Sequence, residues 1–243
     1  MTTFPRWYYD DRQQIGVDFE NIAQVATYDR DQGSNAAEER ALLQRLGLEA
    51  GARVIDLGAG TGSFAIEAAR AGAYVYVVDV SRSMLTYTAQ KASNSGVSTI
   101  EFHHGGFLTY EHAADPVDAI ITRFALHHLP DFWKMVAFQR MATMLREGGS
   151  LYVRDTVFSF EPAEYHERID SWIESVAKVP GTGFVAADFE THVRDEYSTF
   201  GWILEGMLTR AGFRIEEAGY PSTEYAEYIC RREHVQPRNS FGK

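Results

Sequence analysis

Cysteine is almost missing from this chain. The lone Cys230 among 243 residues excludes an intramolecular disulfide, and no Cys/His grouping has the spacing of a structural zinc site. Basic runs are missing too: 34 Asp+Glu against 23 Lys+Arg leave a formal charge of −11, poorly suited to neutralising nucleic-acid phosphates or to resting on an anionic bilayer. No apolar stretch approaches the ~20 residues that span a membrane, and Met1–Arg6 lacks the basic-then-apolar order of a signal peptide. The expectation is a soluble, cytoplasmic protein with no nucleic-acid and no membrane partner.

What is present argues for a packed core. Hydrophobic residues make up 45% and aromatic residues 13% of the chain, against the profile of disorder. At about 150 residues per domain the length suits one large domain, or one carrying an insertion.

From Arg53 onward short apolar runs alternate with helical stretches. Strands are expected at Arg53–Leu57, Tyr74–Asp79, Thr99–His103, Val117–Thr122 and Ser150–Asp155, and helices at Ala36–Leu46, Thr61–Ala71, Ser81–Asn94 and Asp131–Arg146. This rhythm predicts crossover units and a parallel sheet. It breaks after Asp155, where Tyr165, Ile169, Trp172, Ile173 and Val176 mark an amphipathic helix, followed by Pro180-Gly181-Thr182-Gly183 and a polar-rich stretch. It resumes with a helix at Trp202–Arg210 and strands at Phe213–Ala218 and Tyr225–Arg231. The expected division of a single domain 1–243 is a lid segment at 1–35, a cofactor-binding core at 36–155 and 201–231, a second lid piece at 156–200 and a tail at 232–243. The insertion lies beside the carboxyl edge of the sheet, where open α/β sheets bind ligands.

The most informative stretch is Val54-Ile55-Asp56-Leu57-Gly58-Ala59-Gly60-Thr61-Gly62-Ser63, a strand entering a glycine loop and then a helix. Such a loop lets the backbone approach a ligand closely. A dinucleotide fingerprint requires G-x-G-x-x-G/A; counted from Gly58 its last position is Ser63, and the third glycine arrives early, at Gly62. A carboxylate at Asp56 would repel a pyrophosphate and favour a cation. S-adenosylmethionine carries a sulfonium and an ammonium and no phosphate, so it suits the acid where NAD does not. Asp79 follows Gly58 by 21 positions at the tip of the next strand, where an acid accepts hydrogen bonds from both ribose hydroxyls of either cofactor.

Asp56-x-Gly58-x-Gly60-x-Gly62, Asp79 with Ser81 and Met84, Gly105-Gly106-Phe107, Phe124-Ala125-Leu126-His127-His128-Leu129-Pro130-Asp131 and Met144-Leu145-Arg146-Glu147-Gly148-Gly149 together resemble the class I S-adenosylmethionine-dependent methyltransferases, nearest to the small-molecule group that includes ubiquinone and menaquinone biosynthesis enzymes. The resemblance covers residues 36–155 strongly and 203–231 loosely. It implies an α/β, Rossmann-like, doubly wound sheet of seven strands in the order 3-2-1-4-5-7-6 with the last antiparallel, and S-adenosylmethionine as cofactor. Carried over position by position, it turns the loop from Asp56 through Gly58, Ala59, Gly60, Thr61 and Gly62 to the methionine moiety. It assigns Asp79, with Val80 beside it, to the ribose and Met84 to the adenine. Gly106 and Phe107 would flank the adenine edge, and the backbone at Arg123 would lie near the methionine amino group. Tyr28, in Val25-Ala26-Thr27-Tyr28-Asp29, resembles the tyrosine of the family's lid entrance, or else packs the lid without touching cofactor. One departure stands out: many relatives have Gly-Asp-Phe where this chain has Gly105-Gly106-Phe107, so the acid expected for the adenine amino group is missing.

Methyl transfer from a sulfonium is an in-line displacement with a neutral leaving group, so the protein chiefly aligns the reactants and excludes water. A base is required only where the acceptor must lose a proton. The candidates are His127 and His128, Asp155, and His166 or His192 in the insertion; His128 and Asp155 are the catalytic residues expected. Metal-dependent O-methyltransferases of the superfamily have Asp-Asn where this chain has Asp155-Thr156, so no metal is expected. The rings of 1–35 and 156–200, among them Trp7, Tyr8, Tyr9, Phe160, Trp172 and Phe189, suit a roof over a small apolar or aromatic methyl acceptor; they serve equally to bury the lid or to form a homodimer contact. The competing readings are a non-catalytic cofactor-binding partner subunit or sensor, and a nicotinamide-dependent oxidoreductase.

Overall fold

The computed structural model describes residues 4–13, 20, 25 and 35–234. Strands β1 (Arg53–Leu57), β2 (Tyr74–Asp79), β3 (Ile100–His104) and β4 (Val117–Arg123) pair in parallel, and β5 (Leu145–Phe158) joins β4. The two-residue β6 (Thr199–Phe200) pairs with the end of β5, and β7 (Phe213–Gly219) and β8 (Tyr225–Arg232) complete the sheet. The order is β3-β2-β1-β4-β5-β8-β7, with β8 antiparallel to both neighbours. Setting the short β6 aside, this is the expected order 3-2-1-4-5-7-6.

Both faces of the sheet are covered, which is why its central strands read as continuous apolar runs. Alternate residues go to opposite sides. Ile55, Leu57, Val78 and Ile120 join Phe138, Met141 and Leu204 in one core, whereas Val54, Val75, Val77 and Ile121 join Leu42, Leu43, Phe64 and Ala68 in the other. The first core lies under α4 (Asp131–Met144) and α7 (Gly201–Arg210). The second lies under α1 (Ala36–Arg45) and α2 (Ser63–Arg70). Helix α3 (Arg82–Asn94) follows β2 and is capped by Ser81, whose hydroxyl accepts from the Met84 amide at 3.0 Å. That cap frees Asp79 from capping duty.

Several boundaries differ from expectation. The helix expected from Thr61 begins at Ser63, because Gly62 is held left-handed at φ +67 as its N-cap. The helix expected to reach Arg146 stops at Met144: Leu145 is already extended and pairs with Val117, and β5 runs from there to Phe158, well past both ends of the expected strand. The polar-rich stretch after Gly183 folds as α6 (Ala186–Asp195). Its apolar Phe189 packs against Trp172 of α5 (Tyr165–Val176), with ring centroids 5.4 Å apart, so tertiary packing supplies what local polarity obscured.

Candidate active site

The carboxyl ends of β1, β2 and β4 open into one cleft. Of the residues expected at the site, Gly58, Gly60, Asp79, Val80, Met84, Gly106, Phe107, Arg123 and His128 line it. Asp56, Ala59, Thr61, Gly62 and Asp155 are not among the lining residues. Tyr28 lies outside the described residues.

The glycine loop forms a floor without side chains. Gly58 has φ +75, and a Cβ there would come within 2.6 Å of the Ala125 Cβ. Gly62 serves the packing behind the floor: a Cβ on it would run into the Thr88 side chain of α3. Asp79 ties the loop to β2. One carboxylate oxygen accepts from the Gly60 amide and the other from the Ser81 amide, each at 2.8 Å. Burial raises its pKa, only partly offset by those amides.

Asp56 is 4% exposed. Burial pushes its carboxyl from 3.8 up to about 7, the nearby Arg123 guanidinium opposing the rise and Glu39 and Asp79 adding to it. Arg123 is held by the buried Glu39 of α1 at 2.9 Å and lies 5.9 Å over the Phe64 ring. A buried acid that burial keeps half protonated, with two further carboxylates nearby, is suited to a cationic ligand, and the bare glycine floor to close approach. The donor set therefore fits a sulfonium- and ammonium-bearing cofactor.

His128 also lines the cleft. Burial, with the charge of His127 next, pushes its imidazole down to about 3, so it is neutral at pH 7. Asp155 is occupied elsewhere: it accepts from the amides of Leu126 at 2.8 Å and Thr156 at 2.7 Å, and pairs with His127 Nδ1 at 2.5 Å. Burial alone would raise its pKa, yet His127 and these bonds hold it below the ordinary value. Asp155 thus anchors the turn after β4 and does not face the cleft.

Three features escaped sequence reasoning. Asp11, from the N-terminal segment, enters the cleft beside Gly106; a Cβ on Gly106 would come within 2.8 Å of the Asp11 Cγ. Its Oδ2 accepts from the Leu108 amide at 2.8 Å and its Oδ1 faces the Thr109 hydroxyl at 3.2 Å. Tyr8 and Tyr9 fasten the same segment, donating to the carbonyls of Leu108 at 3.2 Å and His128 at 3.3 Å. Glu20 also lines the cleft, accepting from the Arg82 amide at 2.9 Å. Phe124, in the cleft wall, has φ +50, a left-handed conformation that costs a non-glycine residue about 1–2 kcal/mol; such strain gathers at functional sites. Only the Gly-Gly-Phe departure signalled Asp11 in the sequence, by leaving a gap to be filled.

The rings of the described lid segments do not line this cleft. Trp172 is buried against Phe158, Phe189 and Tyr225, and Trp7, Tyr8 and Tyr9 gather on Trp133. They build the lid.

Residues 54–149 match a family model described as a methyltransferase domain. A protein of Bacillus mycoides strain KBAB4, named an uncharacterized methyltransferase, is 31% identical over 162 residues, 67% of this chain and 69% of that one. The chain is a class I S-adenosylmethionine-dependent methyltransferase. A second uncharacterized methyltransferase, from Geobacillus kaustophilus, is 28% identical over 214 residues, 88% of each chain. This methyltransferase also shares its fold with the magnesium protoporphyrin IX methyltransferase of Synechocystis PCC 6803, solved with bound S-adenosylhomocysteine. The TM-score is 0.61 at 20% identity, covering 92% of this chain and 91% of that one. A [4+2]-cyclase matches with the same TM-score at 17% identity over 82% of this chain and 80% of its own. The cofactor of this methyltransferase is S-adenosylmethionine, and among the described residues no helix is long and apolar enough to cross a membrane.

Proposed function

We propose that this enzyme methylates a small, largely apolar acceptor bound at the Phe124–Leu129 end of the cleft. The observation that carries the reading is continuity: the glycine loop and Asp79 share one cleft with His128, Leu129 and the apolar side chains of Phe107, Phe124 and Met84. When bound, the cofactor supplies an electrophilic methyl group on a sulfonium. The protein's own work is alignment and exclusion of water. Asp79 receives the ribose hydroxyls, with Val80 alongside. Met84 and Phe107 flank the adenine, and the backbone from Gly58 to Gly60 and at Arg123 receives the methionine end. Asp56 provides compensating charge from behind.

Asp11 takes the part of the acid missing at Gly106. A carboxylate has about four acceptor sites, so after serving Leu108 and Thr109 it retains capacity for the adenine amino group. This removes the main support for a non-catalytic cofactor-binding subunit. At the acceptor end, His128 offers an uncharged polar contact that does not repel the sulfonium, and Asp155 holds the turn that presents it.

The test supplies methyl-labelled S-adenosylmethionine and a cellular extract separated into small-molecule, protein and nucleic-acid fractions. Label is expected in the small-molecule fraction, extractable into organic solvent. Label confined to protein or nucleic acid, or no transfer at all, refutes the proposal.

A further inference from the structure

Beside the cleft, the turn after β4 meets the end of α6, and three side chains from distant parts of the chain converge. His127 Nε2 lies 3.3 Å from Glu196 Oε2, and His192 Nδ1 faces the same oxygen. The three donor atoms lie within 4.8 Å of one another. Side-chain exposure is 8% for His127, 13% for His192 and 5% for Glu196. Glu196 Oε2 is buried and makes no hydrogen bond of acceptable geometry.

Each imidazole is held from behind by an oxygen. His127 Nδ1 meets Asp155 Oδ1 at 2.5 Å, and His192 Nε2 meets Ser198 Oγ at 2.8 Å. With those outer nitrogens donating, the inner nitrogens present lone pairs to the same point as the Glu196 carboxylate oxygen. A carboxylate–histidine pair of this kind is how proteins orient a metal-bound imidazole. The surrounding charge is compatible: Asp155 and Glu196 are acidic, and the nearby Lys134 is engaged by Asp131 at 2.8 Å and by the Tyr197 carbonyl.

We propose that His127, His192 and Glu196 bind a divalent transition-metal ion of the zinc class, which clips the lid helix α6 to the carboxyl edge of the sheet. Two nitrogen donors and one oxygen suit zinc-class ions, whereas magnesium and calcium take oxygen ligands. Three protein ligands leave a fourth position for water. The site differs from the Asp-Asn arrangement whose absence led to the expectation of no metal, since Asp155 stands in the outer shell. It does not depend on the identity of the methyl acceptor.

The test uses untagged full-length protein, stripped with a chelator and titrated with zinc(II) chloride by calorimetry. Cobalt(II) replaces zinc in parallel to read the coordination from its visible absorption. One equivalent is expected, with intense four-coordinate cobalt bands and no competition from millimolar magnesium. Glu196→Gln, nearly isosteric, and His192→Ala are expected to weaken binding by at least roughly 10–100-fold, the range that loss of even an outer-shell partner produces. Both should retain wild-type circular dichroism and S-adenosylhomocysteine affinity. His166→Ala, an exposed histidine of the lid, is expected to bind as wild type. No zinc binding by the wild type overturns the proposal, as does equal binding by Glu196→Gln or loss of binding in His166→Ala; the cluster is then a protonated imidazole–carboxylate network.

Discussion

Cofactor binding should release a proton from Asp56. In the free protein its carboxyl sits at about 7 against an ordinary 3.8, burial being the largest cause. At pH 5.5 it is therefore almost wholly protonated. A sulfonium and an ammonium brought alongside favour the carboxylate and pull the pKa down, so binding below pH 7 must expel the proton. Were the bound value to return to the ordinary range, affinity would rise roughly 20-fold between pH 5.5 and 7.5 and then level off. The same shift bears on stability with the opposite sign to that of most acids. A folded-state pKa raised by about 3 units places a cost of up to ~4 kcal/mol on the ligand-free fold. That cost is absent below pH 4, grows as pH rises from 4 to 7, and is complete above. Asp56→Asn should therefore raise the ligand-free melting temperature at pH 8 while weakening cofactor binding and flattening its pH dependence. Calorimetry at pH 6 in two buffers of different ionisation enthalpy counts the protons released, with close to one expected for the wild type and none for Asp56→Asn. A wild-type affinity flat from pH 5.5 to 7.5 with no proton exchange would refute the argument.

Other substitutions probe the remaining walls of the cleft. Asp79→Ala removes charged acceptors of the kind worth about 1.5–3 kcal/mol per hydrogen bond and releases the Gly60 amide from its anchor; S-adenosylhomocysteine affinity should fall at least roughly 10–100-fold by calorimetry. Asp11→Ala should weaken S-adenosylhomocysteine binding by about 10-fold, as for one charged hydrogen bond, and raise the affinity of an adenine analogue lacking the amino group relative to the parent; equal losses for both ligands would sink the assignment. Glu39→Ala removes the carboxylate paired with Arg123. Because Arg123 keeps about a quarter of its surface in water, with a side-chain exposure of 27%, the cost should fall below the 3–5 kcal/mol of a fully buried pair, at about 2–3 kcal/mol in urea unfolding. Gly58→Ala places a methyl 2.6 Å from the Ala125 Cβ in a left-handed backbone; stability and cofactor affinity should both drop, and a wild-type melting temperature would argue against the tight floor.

Local pattern made the sheet legible. Strands β1 and β2 run over the residues that their apolar runs marked, Arg53–Leu57 and Tyr74–Asp79, because strands buried on both faces write their burial into consecutive residues. The glycine spacing, with Asp56 and Asp79, identified the cofactor class because the ligand's charge and the need for bare backbone act within a few residues of each other. Where neighbours in space determined the outcome, the pattern failed. The apolar period of α4 carried on through Leu145, whose burial is shared by helix and strand alike, and only pairing with Val117 ended the helix at Met144. The polar composition of α6 concealed a helix whose stability comes from α5.

The sequence by itself determined the succession of the main strands and of the helices between them, the glycine floor and the acids that suit a cationic cofactor, since each is set by local periodicity or by residues adjacent in the chain. Only the tertiary structure decided which acid stands beside Gly106, which expected catalytic residue faces the cleft, and that His127 meets His192 and Glu196. Asp11 reaches Leu108 across 97 positions and His127 meets Glu196 across 69. No local pattern encodes such encounters, because they exist only after the sheet has brought the strand ends, the N-terminal segment and the lid to one edge.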